Sequence, residues 1–143
     1  MRTLLFIGQD VNWRHAIVTF LTRAGYRVLE AGDEVGALGL PCRSEIDLIL
    51  LDLPMRRHAG AGALDAIRTD PEWGRLPRVL LTSDTDWCTW LNGSRETADP
   101  VLVKSRFSLR DLLAVVQCRL ESAARAGREG LKDTEDGGIR QVA

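Results

Sequence analysis

The chain has 143 residues, 45% hydrophobic and 27% charged, with 19 Lys and Arg against 20 Asp and Glu, for a formal net charge of −1. That length builds one core, not two, and so even a balance gives no basic field to attract nucleic acid or an anionic membrane, so neither is an expected partner. The three cysteines, Cys42, Cys88 and Cys118, stand apart with no CxxC pair, which argues against a disulfide framework and for reduced thiols in a cytoplasmic protein.

The first apolar run, residues 3–7, is broken by Gly8-Gln9-Asp10, too soon for a signal peptide or a membrane span. It reads as a strand. Val11, Trp13, Ala16, Ile17, Phe20 and Leu21 then recur at helical spacing, and Gly25 follows as a helix stop. A second strand is expected over 27–30. Residues 33–40 form at best a short helix, because glycines and Pro41 weaken it. The third strand, 48–51, is continuous Leu and Ile. Ala63, Leu64, Ile67 and Arg68 mark a third helix that ends before Pro71, since the residue preceding proline avoids helical geometry. A fourth strand is expected over 78–81. Residues 84–95 suggest a fourth helix with Trp87, Trp90 and Leu91 on one face. The fifth strand is 101–103. Ser108 then caps a helix whose stripe is Leu109, Leu112, Leu113, Val116 and Leu120.

Short apolar runs without alternation are the mark of strands buried on both faces, and five such runs alternating with helices imply an α/β, doubly wound parallel sheet. From Ala123 the chain turns to Gly, Ala and mixed charge, too poor in apolar surface to offset ordering. The expected organisation is one domain over residues 1–122 and a disordered or frayed tail over 123–143, with no effector domain following.

Ligands of an open α/β sheet bind beyond the carboxyl ends of its strands. Those ends carry Gly8-Gln9-Asp10, Asp52-Leu53-Pro54, Thr82-Ser83 and Lys104-Ser105, so a carboxylate, a hydroxyl and an ammonium converge on one rim. The segment from Asp47 through Asp52 to Met55, followed by Gly60, with Thr82 and Lys104 beyond it, resembles the receiver domain of two-component response regulators over roughly residues 2–120. The resemblance implies a flavodoxin-like strand order of 2-1-3-4-5. It also implies that Asp52 accepts a phosphoryl group from a histidine kinase or phosphotransfer protein, with Thr82 and Lys104 contacting phosphoryl oxygens. Each residue also has a plainer role open to it: Asp52 as a cap for nearby amides, Thr82 as a strand residue, Lys104 as a solvated charge.

The departures from the family are as informative as the matches. Its acidic pair after the first strand, which binds Mg²⁺ with the phosphoacceptor, is Gly8 and Gln9 here. Mg²⁺ is therefore expected to bind weakly or not at all, through Asp52, the amide oxygen of Gln9 and the backbone carbonyl of Pro54. Asp10 either joins this set by a shift of register or caps the helix that follows. Pro54-Met55 inverts the family's usual order, and Ser105 replaces the proline that commonly follows the lysine. Val101 stands where the family has a switch aromatic, so conventional coupling is not expected. Trp87 and Trp90 either anchor a partner on the face of the fourth helix, fifth strand and fifth helix or pack on the sheet. His15 and His58 have no metal-ligand spacing, and Gly60 and Gly62 belong to no phosphate-loop motif.

Two functions remain in view. One is a stand-alone receiver phosphorylated on Asp52, signalling by binding an output protein, and not an enzyme beyond its own phosphorylation and dephosphorylation. The other is a phosphorylation-independent pseudo-receiver adaptor. A homodimer is left open. A flavodoxin-like enzyme or cofactor carrier shares the topology but lacks its motifs.

Overall fold

The computed structural model describes residues 1–40, 45–53, 57–83 and 99–137. Five strands, β1 (Thr3–Ile7), β2 (Arg27–Ala31), β3 (Leu48–Asp52), β4 (Arg78–Thr82) and β5 (Val101–Val103), form one sheet. Every pairing is parallel and the order is β2-β1-β3-β4-β5. The crossovers include α1 (Val11–Arg23), α2 (Glu34–Leu38) and α3 (Arg57–Thr69), and a long C-terminal helix (Leu109–Gly137) follows β5. The fourth helix expected from sequence, with Trp87 and Trp90, lies outside the described residues, as do Pro54 and Met55.

Successive residues of a strand face opposite sides of its sheet, and here both sides are apolar. Leu5, Ile7, Ile49, Leu51 and Leu80 pack with Leu64 and Ile67 of α3 and with Trp73. Leu4, Phe6, Leu48, Leu50, Val79 and Leu81 pack with Ile17 and Leu21 of α1 and with Leu112, Val116 and Leu120 of the C-terminal helix. Two cores share one sheet. This explains the unalternated runs, because no position in the central strands faces water.

The helix ends follow local chemistry. Asp10 caps α1, its Oδ1 accepting from the N–H groups of Asn12 and Trp13. Gly25 takes φ of +105°, and the N–H groups of Gly25 and Tyr26 donate to the carbonyls of Thr22 and Leu21, a Schellman closure open to a residue without Cβ. Ser108 and Asp111 exchange bonds at the start of the C-terminal helix, each backbone N–H donating to the other's side chain, a capping box.

Three features go beyond the sequence expectations. In α1, Val11 is 63% exposed and Ala16 is also exposed, so the stripe that seals the core is narrower than the apolar spacing suggested. Trp73, in a 3₁₀ turn (Trp73–Arg75) after α3, is fully buried; Asp70 holds that turn by accepting from the N–H groups of Glu72 and Trp73. The C-terminal helix runs from Leu109 to Gly137. A helix already nucleated on the core propagates without a new nucleation cost, helped by Ala, Arg, Glu and Lys and opposed by Gly127 and Gly130.

Leu50 lies in the middle of β3 with no exposure. Leu50→Ala is expected to lower unfolding free energy by about 3 kcal/mol, the scale of a large-to-small core change, measured by urea unfolding.

Candidate functional site

At the carboxyl ends of the central strands the apolar layer gives way to polar residues. Asp52, the last residue of β3, is 8% exposed. Lys104 follows β5 directly, and its Nζ donates to Asp52 Oδ2 at 2.8 Å, with side-chain exposures of 11% and 5% for the two partners. The Lys104 N–H also donates to the carbonyl of Thr82 at 2.7 Å, and Thr82, the last residue of β4, is fully buried. The structure thus joins Asp52 to Lys104 through side chains and Lys104 to Thr82 through backbone, on one rim.

The ordinary carboxyl value of 3.8 is raised at Asp52, first by desolvation and further by the nearby charge of Asp10, while the hydrogen bond and charge of Lys104 act in the opposite direction. Burial therefore outweighs the ion pair.

The other expected site residues stand differently. Gly8 is buried, whereas Gln9 and Asp10 are exposed. A Cβ on Gly8 would lie 2.8 Å from Asp52 Cβ and 2.9 Å from Phe6 Cε1, closer than such atoms approach. Glycine here is a condition of the close packing of β1 against Asp52, as well as a missing carboxylate. The carboxylate of Asp10 is engaged in capping α1. Lys104 meets Asp52 at Oδ2, Gly8 offers no side-chain donor, and among the described residues no group of three or more His, Cys, Asp or Glu could hold a metal. Val101 is half-buried and packs on the core that includes Leu5 and Ile7.

Sequence reasoning passed over Trp13. It appears there as one apolar residue of α1, yet in the structure the Lys104 Nζ lies 5.0 Å from its ring centroid. Phe107 packs against the same ring, centroids 5.9 Å apart at an interplanar angle of 44°. The only signal in the sequence was a tryptophan in the first turn of a helix that begins at the functional rim.

The raised carboxyl sets a testable pH dependence. Folding favours the protonated form of Asp52, so its ionisation removes stability as pH rises above 3.8 through the higher folded value. Lys104 limits that loss. Lys104→Met should cost about 3 kcal/mol near pH 7, where a buried carboxylate is left without its cation. It should cost much less below pH 3.8, where the carboxyl is protonated. Urea unfolding of both proteins across this range checks the difference.

Residues 4–117 match the family model described as the response regulator receiver domain. Among curated relatives, the transcriptional regulatory protein GltR of Pseudomonas aeruginosa is 29% identical over 122 residues, covering 85% of this chain and 50% of that protein. A probable transcriptional regulator, ycf27 of Cyanidium caldarium, is 33% identical over 114 residues, covering 80% and 44%. The chain spans about half the length of the curated relatives it matches. Among solved structures, the chemotaxis protein CheY4 of Vibrio cholerae superposes with a TM-score of 0.70 at 27% identity, covering 83% of this chain and 98% of that one. The response regulator TrrA of Thermotoga maritima, in complex with Mg²⁺-BeF, gives 0.67 at 25%, covering 82% and 97%. The family match over most of the chain, together with the sheet order and the rim just described, places this protein in the response regulator receiver family, whose members are signalling modules of two-component systems rather than metabolic enzymes.

Proposed function

We propose that this chain accepts a phosphoryl group on Asp52 from a histidine kinase or phosphotransfer protein and transmits the signal by protein–protein binding. The observation that carries the reading is the Lys104–Asp52 contact of 2.8 Å at a strand-end rim. It supplies a carboxylate nucleophile with an ammonium beside it in a site largely closed to water, where such charges act strongly. In transfer, a carboxylate oxygen of Asp52 forms a bond to phosphorus as the bond to the donor's leaving group breaks and the leaving group departs with the electron pair. The ammonium stands where negative charge collects, and Thr82 is the hydroxyl nearest in chain position to serve a phosphoryl oxygen. Beyond its own phosphorylation and dephosphorylation, the chain carries out no catalysis in this reading.

Receiver domains generally bind Mg²⁺, and this one is proposed to hold it poorly when no phosphoryl group is present. Gly8 and Gln9 contribute no charge, and the one carboxylate at the centre is already balanced by Lys104. The output partner is proposed to meet the face that includes β5 and the C-terminal helix, with only modest dependence on phosphorylation, since Val101 has neither ring nor hydroxyl to follow a move of Thr82. That same observation favours a second reading, an adaptor of the same fold whose Asp52 is never phosphorylated.

Intact-mass spectrometry after incubation with acetyl phosphate separates the two. The expected result is a phosphoryl adduct on the wild type and none on Asp52→Ala. No adduct on either, with donor intact and protein folded, would establish the adaptor reading instead.

A further inference from the structure

Lysine is a flexible point charge on a four-carbon stem, and holding it in one place requires contacts along its length as well as at its tip. At Lys104 the tip is met from two sides. Asp52 Oδ2 accepts at 2.8 Å, and the indole of Trp13 presents its ring to the same ammonium with the centroid 5.0 Å away. The negative face of an indole attracts a cation, most strongly where water is excluded, and the Lys104 side chain is 11% exposed.

Trp13 is itself built into place. Its backbone N–H donates to the Asp10 carboxylate at 3.2 Å, which fixes the first turn of α1. One residue on, Arg14 Nη1 donates to the Gly8 carbonyl at 2.9 Å while Nε pairs with Glu30 at 3.2 Å, tying that turn to the end of β1 and to β2. Phe107, between β5 and the C-terminal helix, packs on the indole. Beside it opens an apolar groove of about 310 Å³ lined by Asn12, Trp13, Ala16, Phe107 and Leu109. Because the groove leaves the indole open on that side, Phe107 and the α1 turn hold it, rather than enclosure in the core.

We infer that Trp13 is a positioning residue for the phosphoacceptor site: its indole, backed by Phe107, clamps the Lys104 ammonium against Asp52 and so fixes a protein cation in a cleft that lacks the family's acidic metal ligands. The consequence for phosphorylation rests on the reading of Asp52 as phosphoacceptor; the clamp does not. Gly8 permits the arrangement, since a side chain there would collide with Asp52. Asp10 serves it indirectly, capping the turn that carries Trp13.

The test uses a property of this sequence, which has only two lysines, Lys104 and Lys132. Acylation of the folded protein by acetic anhydride, read by peptide mass spectrometry, gives the reactivity of Lys104 relative to Lys132 as internal reference. Trp13→Leu is expected to raise that ratio by roughly fivefold, the scale of one cation–π contact in a desolvated site, while Trp13→Phe, which keeps an aromatic face, should stay much nearer the wild type. Phe107→Leu, which removes the backing ring and leaves Trp13 in place, provides a second and milder route to the same increase, and circular dichroism confirms that each variant is folded. With acetyl phosphate, Trp13→Leu should slow adduct formation on Asp52, and combining it with Lys104→Ala should slow it no further than Lys104→Ala alone, as required of residues acting through one another. An unchanged Lys104 ratio in both Trp13→Leu and Phe107→Leu would overturn the inference, and so would fully additive effects on adduct formation. If wild type forms no adduct while the Lys104 ratio responds as stated, the phosphoacceptor reading falls and the clamp is upheld.

Discussion

Placing a carboxylate and an ammonium together beneath the rim of a parallel sheet strips both of hydration, and the loss is recovered only where the two meet in good geometry. Asp52 and Lys104 meet at 2.8 Å, with side chains 5% and 11% exposed, and recover part of it, the Asp52 carboxyl remaining raised. The fold supplies the location. β3 is the central strand of a sheet covered on both faces, so its last residue, Asp52, lies at the edge of a dry core. β5, two strands away, ends where its following residue reaches back across β4. Burial at that depth raises the Asp52 carboxyl in spite of Lys104, and the close approach of β1 to β3 crowds Gly8 against Asp52.

The pair also reorders the roles of the residues around it. In a site whose carboxylates outnumber its cations, a divalent ion restores balance. Here the central carboxylate already has its counter-charge, and the positions that could add negative charge are a glycine packed against Asp52 and an exposed glutamine. Asp10, the remaining acid of the segment, caps α1 and thereby orients Trp13 toward Lys104. A residue that sequence offers as either ligand or cap is seen here in the cap. At the opposite end of the strands a second ion cluster closes the domain: Asp99 accepts from Arg78 at 2.8 Å and from Arg119 at 3.4 Å. It ties the approach to β5 to the C-terminal helix, which holds the chain on either side of Lys104 against the sheet.

Much of this was readable before any coordinates. Strands buried on both faces leave unbroken runs of Leu, Ile and Val, so all five strands appear in the sequence to within a residue or so, and the strand ends then point to Asp52, Thr82 and Lys104. Caps such as Ser108 with Asp111 are local and equally legible. What escaped depends on distance in space. A tryptophan at helical spacing looks like core, and only the packed structure shows Trp13 facing a lysine 91 positions further along the chain. Gly8 reads as a lost acid; that a Cβ would strike Asp52 follows from the approach of β1 to β3. Trp73 sits just beyond a proline break, where pattern gives no reason to expect a fully buried ring.

The central claim is that a clamped lysine, rather than a resident divalent ion, balances charge at Asp52. The most direct measurement is the rate of adduct formation on Asp52 from acetyl phosphate, compared in Mg²⁺ and in excess EDTA. The account predicts that the rate in EDTA stays of the same order as in Mg²⁺ and collapses in Lys104→Ala under both conditions. An adduct that forms only with Mg²⁺, at a rate indifferent to Lys104, would contradict it.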